Sequence, residues 1–352
     1  MEHTINKTLI IRLSSIGDVI LATPLARVLR EQFPSAQIDF LVKKEYAALV
    51  RHNPHLNSVI ELDPEGGLRH LRGLRQRIRR ERYDLIIDIQ GNLRSTFLRT
   101  GSSENLVSVN KRKLARFLLI NFKWNVYRSA PPVSVRYLET LRRFPLFDDG
   151  KGLEVFIPKE ISDHVRQHLE STGLDNYESV VGLCPGSRHA TKRWLQERFA
   201  ELAITLIKEE RMGVLLFGGK DDRERCAWIE EQIVEATRNR RSVANFAGVF
   251  SLLETAAAMD ACEVVVTNDT GLLHLAAARK RKVVAIFGPT VKAFGFFPYG
   301  TESKVFERAG LYCRPCTHIG GKVCPEGHFR CMKDTSVDDV LSGVRSFVPV
   351  TA

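Results

Sequence analysis

A chain of 352 residues, 44% apolar and 26% charged, is long enough for two domains and too apolar for intrinsic disorder. No stretch approaches the ~18 consecutive apolar residues of a membrane-spanning helix, and the N-terminus lacks the basic-then-apolar order of a signal peptide. A cytoplasmic protein is therefore expected, free to touch a membrane surface. The formal charge of +11 is uneven: residues 1–150 hold 25 Lys and Arg against 15 Asp and Glu, a surplus of ten, and the rest of the chain has a surplus of one.

In chain order, the apolar run 8–13 predicts a buried strand and the longer apolar spacing of 19–33 predicts a helix. Ser14, Ser15 and Gly17 then form a strand-to-helix turn with Asp18 at its rim. Such turns sit at the carboxyl ends of strands in open α/β sheets, where ligands bind and helix amides attract anions. An acidic residue in a first helical turn also complements the helix dipole, so Asp18 carries both readings. Strands are predicted again at 37–42 and 85–89. Between them Arg69, Arg72, Arg75, Arg77, Arg79, Arg80 and Arg82 are spaced around one helix. That run is either a solvated basic face or a surface for an acidic partner, nucleic acid or anionic lipid. A second basic group, Lys111, Arg112, Lys113 and Arg116, runs into the apolar and aromatic stretch 117–124. The mixture suits an anionic lipid interface, and it also suits an ordinary core helix.

The second half repeats the plan, with strands predicted at 179–183, 212–217, 263–267 and 282–287. Phe199, Leu202, Ala203, Leu206 and Ile207 trace one apolar face of an intervening helix. The fold class is α/β, two similar units joined near 146–176, with a cleft between them as the natural site. We place the first domain at 1–165 and the second at 166–352. A closing helix at 337–344 is free to pack back on the first domain, and a loose tail follows it.

Four turns of the second half share one design, a strand, then small residues, then a helix. After the first strand, Gly186 and Ser187 let the backbone approach an anion and Lys192 adds a positive charge, although the order is not that of a Walker A loop. After the second, Gly218-Gly219-Lys220-Asp221 offers a carboxylate to a ribose hydroxyl, or simply a capped helix start. After the third, Asn268, Asp269 and Thr270 are good N-caps and Gly271 and Leu272 open a helix whose amides would face a phosphate. His274 follows one turn in, either beside the ligand or packed in the helix. The fourth is Phe287-Gly288-Pro289-Thr290. Downstream, Cys313-x2-Cys316-x7-Cys324-x6-Cys331 begins with zinc-like spacing but lacks a second Cys-x2-Cys. A structural zinc and a loop packed by free thiols are both open, and a cytosolic setting disfavours stable disulfides.

Leu13-Ser14-Ser15-Ile16-Gly17-Asp18, Pro185-Gly186-Ser187 with Lys192-Arg193-Trp194, and Asn268-Asp269-Thr270-Gly271 with His274-Leu275-Ala276 together resemble the lipopolysaccharide heptosyltransferases of glycosyltransferase family 9. The likeness extends through 84–95, 287–290 and 298–300. It implies a GT-B architecture, two Rossmann-like domains facing a central cleft. It also implies an inverting, metal-independent transfer of heptose from ADP-heptose to the Kdo or heptose of the lipopolysaccharide inner core. Asp18 would be the general base, and Ser15 and Gly17 beside it would bind substrate or donor. Ser187, Lys192, Asp221, Asp269, Thr270, Gly271, Leu272 and His274 would serve the donor. Arg69, Arg72, Arg75, Arg79, Lys111, Arg112 and Lys113 would face a phosphorylated lipid A-core acceptor on the cytosolic side of the inner membrane.

No cofactor is required and no nucleic acid is expected. Many members of the family carry Asp-Pro after the Gly-Pro-Thr motif where this chain has Val291-Lys292, a departure that bears on sugar specificity. Three other readings compete. One is a family member using another nucleotide sugar or acceptor. The second is a zinc-stabilised nucleic-acid-binding protein. The third is a Rossmann dehydrogenase, which the absence of Gly-x-Gly-x-x-Gly after the first strand weakens.

Overall fold

The structure is a computed structural model and describes residues 5–103, 105–144 and 146–348; the two chain ends drawn into the expected domain ranges lie partly outside them, as does the tail beyond 348. The chain separates into two compact units, one running up to Lys111 together with Pro131–Phe156, the other comprising Arg112–Ala130 and the chain from Ile157 on.

The first unit is built on a five-stranded parallel sheet of β1 (Lys7–Ile11), β2 (Gln37–Lys43), β3 (Ser58–Leu62), β4 (Leu85–Asp88) and β5 (Asn105–Ser108), in the order β3-β2-β1-β4-β5. Because helices cover both faces of such a sheet, its central strands are continuously apolar. Leu9, Ile11, Leu41, Ile60, Ile86 and Leu98 accordingly share one core. β1 lies between β2 and β4, with Ile11 opposite Leu41 on one side and Asp88 on the other. The strand order therefore reverses at β1 and β4, and their carboxyl ends open the crevice where ligands bind in this class of sheet. The single helix expected at 19–33 is two, Ile16–Ile20 and Thr23–Gln32. The second restarts with Pro24 in its first turn, where a missing N–H costs nothing.

The second unit holds six parallel strands, β6 (Val180–Cys184), β7 (Gly213–Leu216), β8 (Val243–Asn245), β9 (Val264–Asn268), β10 (Lys282–Phe287) and β11 (Ser303–Glu307), in the order β11-β10-β9-β6-β7-β8. This is the Rossmann order, and its reversal falls between β6 and β9, where Cys184 pairs with Thr267. Trp194, Phe199, Leu202, Val214, Val266 and Ile286 share the core. The closing helix Val337–Arg345 adds Val340, Leu341 and Val344 to that same core and so belongs to the second unit.

Candidate active site

At the switch point of the first sheet, the end of β1 is fastened to the end of β4. The Gln90 side-chain carbonyl accepts from the amides of Leu13 (2.9 Å) and Ser14 (3.2 Å). Asp88, fully buried, gathers the amides of Gln90 and Gly91, the Ser95 hydroxyl and the Arg99 guanidinium. Against this frame Ser15 caps the helix Ile16–Ile20, and its amide and hydroxyl donate to Asp18 Oδ2 at 3.4 and 3.2 Å. Gly17 is buried beneath. The other carboxylate oxygen, Oδ1, takes Arg12 Nη2 at 2.7 Å and faces the Tyr137 hydroxyl at 3.5 Å. Asp18 thus closes the cap of its helix with one oxygen, in line with the helix-start reading, and binds Arg12 with the other.

Arg12 and Tyr137 were not singled out in the sequence. Arg12 is the one charge inside the apolar run 8–13, and a buried charge requires a partner, which was the available signal. Tyr137 gave none, being 119 residues from Asp18. Arg12 also donates to the Ile89 carbonyl (2.6 Å) and lies over the Tyr137 ring. Burial disfavours its charge, but Asp18 and then Tyr137 and Asp88 outweigh that, so the guanidinium stays firmly protonated. Burial, with Asp18 adding, pushes the Tyr137 phenol above its ordinary range and keeps it neutral.

At the second switch point, Asn268 Nδ2 reaches the Pro185 carbonyl (3.0 Å), and its Oδ1 accepts from the Trp194 amide (2.9 Å), clamping the loop after β6 to the end of β9. Asp269, 6% exposed, binds Lys192 Nζ at 2.7 Å and accepts from the Thr290 hydroxyl at 2.6 Å. Arg314 in turn holds the Thr290 carbonyl (2.6 Å) and Glu307 (2.7 Å). Thr290 and Lys192 therefore meet on one carboxylate, although 98 residues of sequence separate them. His189 is pushed below its ordinary pKa by burial and then by Lys192, Arg188 and Arg193, a sign of the positive field around this loop. At Gly186 a Cβ would meet the Asp222 carboxylate at 2.2 Å, so a side chain there would displace that carboxylate. At Gly288 a Cβ would meet the Thr191 backbone oxygen at 3.1 Å and Met332 at 2.8 Å.

The other expected donor residues are distributed unevenly. Ser187 is half-buried, with its carbonyl taken by Arg193. Thr270 caps the helix Gly271–Ala278, and its hydroxyl already accepts the Leu272 amide at 3.2 Å. Gly271 is half-buried at the helix start. His274 is 3% exposed and packs toward Phe296. In the turn after β7, Asp221 is exposed and the neighbouring Asp222 makes the structural contacts, taking the Gly219 amide at 3.0 Å. A cavity of about 370 Å³ in this unit, lined among others by Tyr177, Asp260 and Arg281, lies at the amino ends of the strands and touches none of the four turns.

The basic residues also divide. On the helix Gly67–Arg80, Arg75 stacks over Phe97 at 4.6 Å, and Arg75 and Arg79 both donate to the Thr100 carbonyl. Arg69 and Arg72 are exposed. Arg112 donates to the Ser129 carbonyl, Lys111 packs its chain over Gly91, and Lys113 is exposed at the start of the helix Lys113–Phe122. The zinc reading of the cysteines is corrected: among the described residues no three His, Cys, Asp or Glu are grouped to hold a metal ion. Burial pushes the Cys331 thiol up to about 11 and raises that of Cys316. Cys313 instead lies 3.8 Å from His328, and Cys324 is half-buried.

The sequence model of glycosyltransferase family 9 (heptosyltransferase) matches residues 71–326. The chain belongs to that family. It is 29% identical over 295 residues to lipooligosaccharide heptosyltransferase 2 of Haemophilus influenzae, covering 80% of this chain and 83% of the relative. Among solved structures, glycosyl transferase family 9 from Veillonella parvula matches with a TM-score of 0.80 and 25% identity, covering 99% of this chain and 98% of that one. The Escherichia coli ADP-heptose lps heptosyltransferase II matches with a TM-score of 0.73 and 24% identity, over 97% and 98% of the two chains. This family 9 protein is thus a glycosyltransferase, and membership displaces the dehydrogenase and nucleic-acid-binding readings.

Proposed function

We propose that this family 9 enzyme transfers a heptose from ADP-heptose, with inversion and without a metal, to the Kdo or heptose of the lipopolysaccharide inner core. The observation that carries the reading is the half-exposed Asp18 carboxylate, held by Arg12 from a buried position. Asp18 takes the proton of the acceptor hydroxyl as its oxygen bonds to the anomeric carbon, while the bond from that carbon to the diphosphate breaks on the opposite side. The negative charge leaves with ADP, so cations and oriented amides fixed beside it favour the transition state over the ground state. Lys192, kept in place by Asp269 and Thr290, supplies that cation, and the helix start at Thr270 and Gly271 supplies the dipole.

Two names support the substrates, a relative that is a lipooligosaccharide heptosyltransferase and a structural neighbour described as acting with ADP-heptose. Among the described residues no helix is long and apolar enough to cross a membrane. We place the enzyme at the cytosolic face of the inner membrane, where its phosphorylated lipid A-core acceptor would meet the exposed arginines of the helix Gly67–Arg80.

The test is a screen of sugar nucleotides against a lipid A-Kdo acceptor, read as ADP release, with wild type and Asp18→Ala side by side. ADP-heptose turnover that falls roughly 10²-fold or more in the variant is expected for loss of a general base. Equal rates remove Asp18 from that role, and turnover confined to another sugar nucleotide overturns the donor.

A further inference from the structure

We propose that the helix Lys113–Phe122 and the turn after it form a docking surface for an anionic lipid bilayer, entered by the side chains of Phe117, Phe122 and Trp124. These residues do not belong to a core helix: of the ten residues in this helix only Leu119 is buried. Phe117, Phe122 and Trp124 are 53%, 54% and 64% exposed, and Leu114 and Val126 beside them in sequence are exposed as well. The three rings form one cluster, Phe117 edge-on to Phe122 at 5.9 Å and Phe122 tilted against Trp124 at 5.6 Å. Singly exposed apolar residues are ordinary, but a contiguous exposed aromatic group marks an interaction surface.

The cluster is held from behind. Lys123 takes the left-handed conformation that ends the helix, and its ammonium donates to the carbonyls of Ile120, Cys313 and Pro315. The Trp124 amide returns to the Leu118 carbonyl at 3.3 Å, which turns the indole back alongside Phe122. The aromatic face is therefore presented by a fixed turn.

Charge decides the occupant. From residue 105 to 138 the chain carries seven Lys and Arg and no Asp or Glu. An aromatic and aliphatic face inside an uninterrupted cationic segment matches a lipid interface of negative charge, which draws basic residues within a Debye length and accepts Trp and Phe at headgroup level. A helix of ten residues is too short to span a bilayer and long enough to lie in its surface. The inference rests on the preceding reading, in which the acceptor is membrane-bound, and it names the part of the enzyme that meets that membrane.

The experiment uses the full chain and vesicles of phosphatidylethanolamine with phosphatidylglycerol, against vesicles of phosphatidylcholine alone. Wild type is expected to sediment with the anionic vesicles and much less with the neutral ones. Replacing Phe117, Phe122 and Trp124 together by Ser is expected to weaken partitioning at least roughly tenfold, the scale of removing buried aromatic area. Brominated acyl chains should quench the emission of wild type and leave Trp124→Phe, which still binds, unquenched, because of the two remaining tryptophans Trp194 is fully buried in the second core and Trp228 packs half-buried against that same core. Undiminished binding by the triple variant, equal binding to both vesicles, or quenching that survives in Trp124→Phe overturns the proposal. An acceptor stripped of its acyl chains supplies the control: its turnover should be the same in wild type and triple variant, which also shows the variant folded. A parallel fall in that turnover would assign the face to the acceptor sugar instead and overturn the proposal. Absence of heptosyl transfer in wild type would overturn the functional reading alone, since the vesicle result is read independently.

Discussion

Two ion pairs stand at corresponding places in the two units, Arg12 with Asp18 beyond β1 and Lys192 with Asp269 between β6 and β9. Each lies where the strand order of its sheet reverses, so topology alone makes them equivalent. Their exposure is opposite. In the first unit the cation is the deeper member, with the Arg12 side chain 10% exposed and that of Asp18 20%. In the second the carboxylate is the deeper one, 6% against 13% for Lys192. One crevice thus presents an anion steadied by a buried cation, and the other presents a cation steadied by a buried anion. The first arrangement suits a group that accepts a proton, and the second suits a group that holds a diphosphate. The shared fold thus carries opposite burial at its two crevices, the cation deeper in one and the anion deeper in the other.

That contrast breaks first at Asp18. Asp18→Asn keeps an oxygen for the Ser15 cap but cannot take a proton, so kcat should fall roughly 10²- to 10⁴-fold, with donor affinity little changed. Single-turnover ADP release together with donor titration measures both, and a loss confined to donor KM would erase the distinction between the two crevices. A third ion pair supplies a purely structural reference. Arg27, 4% exposed, is gripped by both oxygens of Asp149 (2.6 and 2.8 Å), by Glu154 and by the Gly152 carbonyl. Arg27→Met strands two carboxylates and should cost about 3–5 kcal/mol in urea unfolding, with no change in kcat for the protein that remains folded.

The same pair sets a pH dependence. The hydrogen bond from Arg27 holds the Asp149 carboxyl below its usual range. Its contribution is complete above the unfolded-state value and is lost as pH falls through the lower folded-state value. Asp149→Asn should therefore be less stable at neutral pH and should flatten the acid side of the stability profile, while the profile near neutrality keeps its shape. Loss of slope near neutrality instead would assign the effect to another group. A smaller loss is expected at the second crevice. On the proposed reading Lys192→Met removes a charged contact to the diphosphate, and it should then cost about 1.5–3 kcal/mol, or roughly tenfold to a hundredfold in donor kcat/KM. The loss should appear mainly as KM if Lys192 binds ground state and transition state alike, and as kcat if it acts on the departing charge.

The sequence made the middle of this structure legible and its edges much less so. β1, β2, β4, β6, β7, β9 and β10 were expected because they are buried on both faces and read as apolar runs. β3, β5, β8 and β11 were not, since β3 has two buried residues of five and β5 one of four, β8 has three residues and β11 lies at an edge with one exposed residue. The same division holds in the crevices. Asp18, Lys192 and Asp269 sit in short motifs whose turn chemistry is local. What orients them is not local: Tyr137 reaches Asp18 across 119 residues, and Arg314 fixes Thr290 across 24. Periodicity cannot encode such contacts, because they are set by which strands become neighbours.

The smallest effect sharpens the contrast within a single helix. Arg69 and Arg72 are exposed, whereas Arg75 and Arg79 are committed to the Thr100 carbonyl and, for Arg75, to the Phe97 ring. A charge that acts only through its field is screened within about 8–10 Å at ordinary ionic strength. Arg69→Ala with Arg72→Ala should therefore lower kcat/KM for a phosphorylated acceptor roughly twofold to fivefold at low salt, the scale of exposed ion pairs, and this deficit should close as salt is added. Arg75→Ala should instead leave the acceptor kinetics alone and lower stability by about 0.5–1 kcal/mol through the lost contact with Phe97. A salt-independent drop in the first variant would mean that Arg69 or Arg72 binds an acceptor phosphate directly. The first unit would then hold an anion site of its own beside its anionic crevice, and the division of charge between the two units would be incomplete.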